Sequence, residues 1–190
     1  MQASGFVLAG GRSSRMGRDK ALLPYGETSL VEHLAKLVRE AAGSVALIGS
    51  RHTLGHLGLT VFSDELPGCG PIGGIYTALR VTETDWNLMV ACDMPAVSAN
   101  TLRQLLKRAE ISRKNCVVAV GPDGEPEPLC AVYHRRSLPF LREAIRDKRL
   151  KMRAAVKEMG ASFVPVDASA LVNLNTPAEW AELQTKRPGR

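Results

Sequence analysis

The sequence predicts an α/β fold with three layers, in which a mainly parallel, mixed sheet lies between helices on both of its faces. Short apolar runs of strand length alternate along the chain with segments whose apolar residues recur at helical spacing. Strands that alternate with helices tend to pair in parallel and to be covered on both faces. No linker and no internal repeat divides the 190 residues, so we expect one domain over residues 1–190, with a flexible basic tail at 186–190.

The first half of the chain supplies most of the parallel strands. A buried strand is predicted at residues 5–9, and a helix follows over residues 30–41. Ser29 and Glu32 are placed as a capping box before this helix, and Gly43 is a typical stop after it. The other elements predicted here are strands at 45–48, 59–62 and 88–91, a glycine-rich loop at 67–74 that leads into a short helix at 73–79, and a helix capped by Ser98.

The pattern changes in the second half. Apolar segments at 117–120 and 129–133 flank Gly121-Pro122-Asp123-Gly124, which is typical of a turn or a hairpin-like excursion. A hairpin at this point would place an antiparallel strand in the sheet. The elements predicted after it are helices at 138–145 and 152–159, a strand at 163–166 and a final helix that begins at Thr176-Pro177-Ala178-Glu179.

Composition and charge narrow the classes of function. No apolar run approaches the about 18 residues that span a membrane, and the N-terminus does not resemble a secretory signal, so we expect a cytoplasmic protein without a membrane partner. A net charge of +6 fits a partner that carries phosphate groups. Aromatic residues make up only 5% and no RNA-binding signature occurs, so we expect no nucleic acid. The four cysteines form no CxxC pair, which argues against a zinc site.

The loop after the first predicted strand has the composition of an anion site. In parallel sheets, ligands bind at the carboxyl ends of the strands, which directs attention to the loops after residues 9, 62 and 91. The first of these loops combines glycines, whose backbone N–H groups can surround an anion, with cationic side chains. Its spacing fits neither the Walker A pattern nor the dinucleotide fingerprint. The residues concerned are Gly10, Gly11, Gly17, Arg12, Arg15, Arg18 and Lys20.

This loop, LAGGRSSRMGRDK at residues 8–20, resembles the signature loop of the nucleotidyltransferases that act on molybdopterin. Further similar segments follow in order and span nearly the whole chain. They are Phe62-Ser63-Asp64, Pro67 to Gly74, Ala91-Cys92-Asp93-Met94-Pro95, Glu127-Pro128-Leu129 with Ala131 and Tyr133, and Asn173-Leu174-Asn175-Thr176-Pro177. The resemblance implies a Rossmann-like nucleotide-diphospho-sugar transferase fold. It also implies the transfer of GMP from GTP to the terminal phosphate of molybdopterin, with Mg²⁺ as cofactor.

The resemblance also implies roles for individual residues. Lys20 and Arg15 would stabilise the departing pyrophosphate, and Asp93 would hold the metal; these three are the predicted catalytic residues. The predicted nucleotide-binding residues are Leu8, Ala9, Gly10, Gly11, Lys20, Asp64, Gly70, Pro71 and Asp93. A site for the pterin phosphate is predicted at Asn173, Asn175, Arg149 and Lys151.

Several of these residues also have a purely structural interpretation. Asp64 is equally suited to a turn, and Asn175 with Thr176 to the cap of the last helix. The basic cluster of Arg149, Lys151 and Arg153 is compatible with a solvated surface. Where some members of the family carry an asparagine for the guanine, this sequence has Ile48-Gly49-Ser50, which leaves the base contact at this point to the backbone or to the Ser50 hydroxyl.

Three alternative functions stay open on the sequence alone. The LAGG form of the loop favours GTP, because relatives that transfer CMP usually carry LAAG, but cytidylyl transfer to the same pterin is the nearest alternative. The others are nucleotidyl transfer to a sugar phosphate, and a non-catalytic module that binds GTP and a molybdoenzyme. Molybdoenzymes or their chaperones are the protein partners that the resemblance implies.

Overall fold

The computed structural model describes residues 1–10, 20–174, 176 and 179–180. Its strands are β1 (Ala3–Leu8), β2 (Pro24–Tyr25), β3 (Thr28–Ser29), β4 (Ala46–Ile48), β5 (Val61–Phe62), β6 (Trp86–Ala91), β7 (Cys116–Val120), β8 (Pro126–His134) and β9 (Ala161–Pro165). Its α-helices are α1 (Leu30–Ala42), α2 (Arg51–Leu54), α3 (Pro71–Val81), α4 (Ala99–Ile111), α5 (Leu138–Arg146) and α6 (Met152–Met159). Short 3-10 helices lie at Lys20–Leu22, Gly55–Leu57, Arg135–Ser137 and Ala168–Leu171.

Seven strands form one mixed sheet in the order β5-β4-β1-β6-β8-β7-β9. Within this sheet only β8 runs against the others, since it pairs antiparallel with both β6 and β7, and the other pairings are parallel. The predicted hairpin is therefore confirmed as β7–β8, with a bulge between Val118 and Ala119. The prediction of a mainly parallel, mixed sheet is confirmed. β2 and β3 form a separate small hairpin.

Helices cover both faces of the sheet, as the three-layer prediction requires. Neighbouring residues of a strand point to opposite faces, so Val7 of β1 packs with one buried cluster while Phe6 and Leu8 pack with the other. The first cluster is completed by the apolar sides of α1 and α4, and the second by those of α3, α5 and α6. No described helix is long and apolar enough to cross a bilayer.

The start of α3 corrects one prediction. A glycine-rich loop was expected at 67–74, with a short helix at 73–79, but α3 already begins at Pro71, with Gly70 at its N-cap at a positive φ of 67°. Gly73 lies inside the helix because α3 approaches the preceding loop closely: a Cβ there would stand 3.0 Å from the Leu66 carbonyl oxygen. Glycine at this helical position therefore serves packing rather than chain flexibility.

Most other elements occur where the sequence places them. The capping box of α1 is present, with the Ser29 N–H donating to the Glu32 carboxylate at 2.8 Å, and Gly43 ends the helix with φ 81°. Ser98 caps α4 by accepting the Thr101 N–H at 3.1 Å. The β2–β3 hairpin and α2 were not predicted. The predicted tail at 186–190 lies outside the described residues.

We expect Ser29→Ala to lower the free energy of unfolding by about 1 kcal/mol near pH 7, the usual size of a cap. Hydrogen bonds from Ser29, that of its hydroxyl foremost, lower the pKa of the Glu32 carboxyl below its ordinary value. A lowered carboxyl pKa stabilises the fold above the ordinary pKa, and this stabilisation is lost as the pH falls through the folded-state value. The deficit of the variant should therefore shrink from about pH 7 to about pH 4 in urea unfolding experiments.

Ser98→Ala is the matched control, because Ser98 caps α4 through the Thr101 N–H and hydroxyl, which do not titrate in this range. Its deficit should be similar in size and unchanged between the two pH values. A Ser29→Ala deficit that is equally independent of pH would contradict the proposed coupling to Glu32.

Candidate active site

The central strands β1 and β6 bring two candidate loops to the same edge of the sheet. They are adjacent and parallel, with Leu8 opposite Ala91. The ladder continues one step further, since the Cys92 N–H donates to the Leu8 carbonyl at 3.0 Å. The chain that leaves β1 and the chain that leaves β6 therefore start side by side, as expected for a ligand site at the carboxyl ends of parallel strands.

Lys20 and Asp93 meet at this edge. The Lys20 ammonium lies 3.5 Å from Asp93 Oδ2, although 73 residues separate the two along the chain. The Lys20 side chain is 12% exposed and the Asp93 side chain 27% exposed, so both are largely enclosed yet reachable. Lys20 is the first residue of a 3-10 helix, while Asp93 follows β6. A cation and a carboxylate at one semi-enclosed point can bind a phosphate group and a metal ion together.

The segment that contains Asn173 also lies against Asp93. The Leu174 N–H donates to the Asp93 carbonyl at 2.8 Å, and Leu174 is buried. Asn173 is therefore adjacent in the chain to a residue that is anchored on the Asp93 loop. Asn175 lies outside the described residues. Thr176 and Glu179 make reciprocal bonds, from the Thr176 N–H to the carboxylate at 2.9 Å and from the Glu179 N–H to the hydroxyl at 3.2 Å, which is the pattern of a capping box at Thr176.

Tyr25 of β2 connects these segments, and sequence reasoning missed it. Its hydroxyl donates to the Pro95 carbonyl at 3.3 Å, two residues after Asp93. Its ring lies 4.4 Å from the His33 ring on α1 and 6.2 Å from the Trp180 ring, between centroids. Tyr25 thus contacts the Asp93 loop, α1 and the segment that follows Thr176. A lone tyrosine in a two-residue strand carries no periodic signal by which it could have been found.

Asp64 follows β5 at the same edge and is built into its own loop. Its Oδ1 accepts the Leu66 N–H at 3.0 Å and the Thr77 hydroxyl at 3.2 Å. These bonds fit the structural interpretation of Asp64 as a turn residue. They involve one carboxylate oxygen only, and Oδ2 has no hydrogen-bond partner in the described part of the chain. Gly70 and Pro71, which are predicted to contact the nucleotide, stand at the N-terminus of α3 after this loop.

The residues at the end of β1 differ in accessibility. Leu8 and Ala9 are buried, whereas Gly10 is exposed, and the Ala9 N–H donates to the Ile48 carbonyl at 2.8 Å. A Cβ on Gly10 would come no nearer than 3.8 Å to any described atom. The described part of the protein would therefore accept alanine here, so packing alone does not account for glycine. Ser50 caps α2 through its hydroxyl, which accepts the Thr53 N–H at 3.4 Å.

The predicted basic cluster is largely paired within the chain. Arg149 forms ion pairs with Glu158 at 2.5 Å and Asp147 at 3.6 Å, and Arg153 pairs with Glu125 at 2.6 Å. Lys151 is exposed at the N-cap of α6 and has no ion pair with a described residue. Arg153 lies in the first turn of α6, and its partner Glu125 lies in the connection that leaves the carboxyl end of β7, so the N-terminus of α6 is at the carboxyl edge of the sheet.

Some of the predicted site residues lie at one edge of the sheet, and others lie outside the described residues. The structure brings Lys20, Asp93 and the anchor of Asn173 together, and it places Asp64, Gly70 and Lys151 at the same edge. The predicted residues Gly11, Arg15 and Asn175, and with them Arg12 and Arg18, lie outside the described residues.

The family model and the similar proteins of known name agree on one family. The family described as the MobA-like NTP transferase domain matches residues 5–162. A protein named probable molybdenum cofactor guanylyltransferase from Carboxydothermus hydrogenoformans is 34% identical over 93% of this chain and 92% of its own. The molybdenum cofactor guanylyltransferase of Vibrio campbellii is 32% identical over 95% and 94%.

Solved structures share the fold. The molybdopterin-guanine dinucleotide biosynthesis protein A of Archaeoglobus fulgidus superposes with a TM-score of 0.81 at 24% identity, covering 96% of this chain and 99% of its own. A CMP:2-keto-3-deoxy-manno-octonic acid synthetase complexed with CTP gives 0.77 at 12% identity, covering 97% and 98%. The expected nucleotide-diphospho-sugar transferase fold is confirmed.

We expect Tyr25→Leu to loosen the contact between Trp180 and the body of the domain, because it removes the ring that lies between Trp180 and His33. The chain has two tryptophans, so the effect can be read in a Trp86→Phe background as a red shift of Trp180 emission and faster acrylamide quenching. Tyr25→Phe keeps the ring and removes the hydroxyl that donates to the Pro95 carbonyl, so it should cost about 1 kcal/mol in free energy of unfolding and leave the emission almost unchanged.

Trp86 emission in a Trp180→Phe background provides the control, since Trp86 is buried in β6 and packs on His134 instead. It should not respond to Tyr25→Leu. An unchanged Trp180 spectrum in the leucine variant would show that the aromatic contact does not form in solution.

Proposed function

Because the chain belongs to the MobA-like NTP transferase family, we propose that it transfers GMP from GTP to the terminal phosphate of molybdopterin. The products are molybdopterin guanine dinucleotide and pyrophosphate. The proposal is supported by full-length similarity above 30% to proteins named molybdenum cofactor guanylyltransferase. The observation that carries it in this chain is the meeting of Lys20 and Asp93, 3.5 Å apart, at the carboxyl edge of the sheet.

The reaction needs no nucleophile from the protein. A phosphate oxygen of molybdopterin, ionised near neutral pH, attacks the α-phosphorus of GTP. The bond between this phosphorus and the oxygen that bridges to the β-phosphate breaks, and pyrophosphate leaves with the electron pair. Two anions have to approach each other, so catalysis consists of positioning and charge neutralisation.

The residues at the edge suit that task. Lys20, with Arg15 from the preceding loop, would neutralise the β- and γ-phosphates and the departing pyrophosphate. Asp93 fits a magnesium ligand, because Mg²⁺ binds through one or two carboxylates together with phosphate oxygens and this carboxylate is partly accessible. Magnesium supplies charge stabilisation at the phosphates when it is bound. Asp64 is a candidate for a further contact through its Oδ2.

The remaining contacts follow the positions of the loops. Leu8, Ala9, Gly10 and Gly11 would contact the nucleotide through backbone groups, as would Gly70 and Pro71 at the N-terminus of α3. Asn173, whose chain neighbour Leu174 bonds to the Asp93 carbonyl, would bind the pterin phosphate together with Asn175. Arg149 and Lys151 are the other candidates for that phosphate, and Lys151 is the better one because Arg149 is already paired with Glu158.

The cellular setting is part of the proposal. No disulfide joins the four cysteines, which are all in the described part of the chain, and this is compatible with a reducing cytoplasm. The product, molybdopterin guanine dinucleotide, would be passed to molybdoenzymes or their chaperones. GTP is favoured over CTP by the names of the relatives and by the LAGG loop.

The decisive experiment is incubation of the protein with molybdopterin, Mg²⁺ and each of the four NTPs in turn. We expect the dinucleotide and pyrophosphate with GTP, and little or none with the others. Product with CTP would replace guanylyl by cytidylyl transfer. Pyrophosphate release with a sugar phosphate but not with molybdopterin would contradict the acceptor, and GTP binding without any turnover would contradict the enzymatic proposal.

We expect Asp93→Ala to reduce turnover by at least about 10³-fold while the circular dichroism spectrum and the melting temperature stay close to those of the unchanged protein. Asp85→Ala is the matched control, because Asp85 is an exposed aspartate at the opposite end of β6. Its turnover should equal that of the parent. Normal Mg²⁺-dependent turnover in Asp93→Ala would overturn the metal assignment.

A further inference from the structure

A buried hydroxyl on α3 lies against the Asp64 loop. Thr77 is fully buried, six residues after the first residue of α3. Its hydroxyl oxygen is 3.0 Å from the Gly73 carbonyl oxygen, 3.2 Å from Asp64 Oδ1 and 3.0 Å from the Glu65 backbone nitrogen. A bond to the carbonyl four residues earlier is common for a threonine within a helix. The two contacts to residues 64 and 65 are additional, because they come from a different segment of the chain.

The chemistry of these contacts fixes the loop at two successive residues. The Glu65 N–H can only donate, so the Thr77 oxygen accepts from it. The single hydroxyl proton of Thr77 is then available to the Asp64 carboxylate or to the Gly73 carbonyl. The carboxylate is the better acceptor because it is charged. Since Leu66 N–H donates to the same oxygen, Asp64 Oδ1 is held from both sides.

The backbone of α3 closes the third side of the carboxylate. A Cβ on Gly73 would stand 3.3 Å from Asp64 Oδ1, so the helix is in near contact with this oxygen. Rotation of the Asp64 side chain would break its bonds to Leu66 and Thr77 together. The consequence is that one oxygen is committed to the protein, while Oδ2 has no hydrogen-bond partner among the described residues.

We propose that Thr77 is a positioning residue for nucleotide binding: it orients Asp64 so that Oδ2 is presented to the nucleotide. This inference rests on the proposed function, in which Asp64 contacts GTP. Thr77 itself touches neither substrate nor metal. It acts through the Asp64 carboxylate and through the start of the loop that leads to Gly70.

The test compares the affinity for GTP with Mg²⁺, by isothermal titration calorimetry, in the parent, Thr77→Val and Thr77→Ser. Valine keeps the shape of the threonine side chain but removes the hydroxyl, so the Glu65 N–H and the Asp64 carboxylate each lose a hydrogen-bond partner. We expect Thr77→Val to weaken GTP binding about tenfold, the loss of roughly one hydrogen bond to a charged group. Serine restores the hydroxyl and should bring the affinity back to within about twofold.

Thr82→Val is the matched control, since Thr82 is a second buried threonine at the opposite end of the same helix, where its hydroxyl accepts the Thr84 N–H at 3.2 Å. We expect it to lower the melting temperature as Thr77→Val does and to leave GTP binding unchanged. Equal affinity in Thr77→Val and the parent would overturn the inference, and so would an equal loss in Thr82→Val.

A double-mutant cycle separates positioning from a general effect on folding. In an Asp64→Asn background the effect of Thr77→Val on GTP affinity should fall well below its effect in the parent, because both changes act on the same carboxylate. Additive effects would contradict action through Asp64. Should Thr77→Val not fold, Thr77→Ala removes the same hydroxyl and takes its place in the cycle.

The outcome for Thr77 is distinguishable from the outcome for the proposed function. If the parent binds GTP but forms no dinucleotide with molybdopterin, the proposed reaction fails, and the affinity comparison still decides the role of Thr77. If turnover is normal and the Thr77 variants bind GTP like the parent, the reaction stands and the positioning role is wrong.

Discussion

The contact between Lys20 and Asp93 is the constraint on which the candidate active site of this protein depends. It joins the chain that follows β1 to the chain that follows β6, and it does so where both side chains are largely enclosed but still accessible. A lysine and an aspartate that far apart in sequence have no local reason to meet. Their meeting defines the point at which a triphosphate and a metal ion can be bound together.

The sheet brings the ends of the two strands that precede Lys20 and Asp93 together at one edge. β1 and β6 are parallel neighbours that stay paired up to Leu8 and Ala91. The chain therefore leaves both strands at the same edge of the sheet. The chain then returns from β9 to the same place, where Leu174 is bonded to the Asp93 carbonyl. Tyr25 packs these segments together from the side of α1. Backbone pairing thus brings the distant segments of the candidate site together, and contacts of the Lys20, Asp93 and Tyr25 side chains connect them further.

Features that depend on residues close together in the chain could be predicted from the sequence, whereas most contacts between distant residues could not. The α1 capping box and the Ser98 cap are local patterns, and they were predicted from residues three apart. The loop containing Lys20 and the loop containing Asp93 were placed at one edge because parallel strands require it. Thr77 and Tyr25 could not be identified, since the Thr77 hydroxyl bonds to Glu65, 12 positions away, and the Tyr25 hydroxyl to Pro95, 70 positions away, and neither belongs to a motif. The start of α3 at Pro71, two residues before the predicted start, was missed for the same reason: the close approach of Leu66 that requires glycine at position 73 is invisible in the sequence.

The most direct measurement is a crystal structure of the protein with a non-hydrolysable GTP analogue and Mn²⁺, in which anomalous scattering locates the metal. We expect a metal peak at coordination distance from the Asp93 carboxylate and from a phosphate oxygen, with the Lys20 ammonium against the β- or γ-phosphate. A metal and a triphosphate bound elsewhere on the molecule, with the Lys20–Asp93 contact intact and empty of ligand, would contradict this expectation.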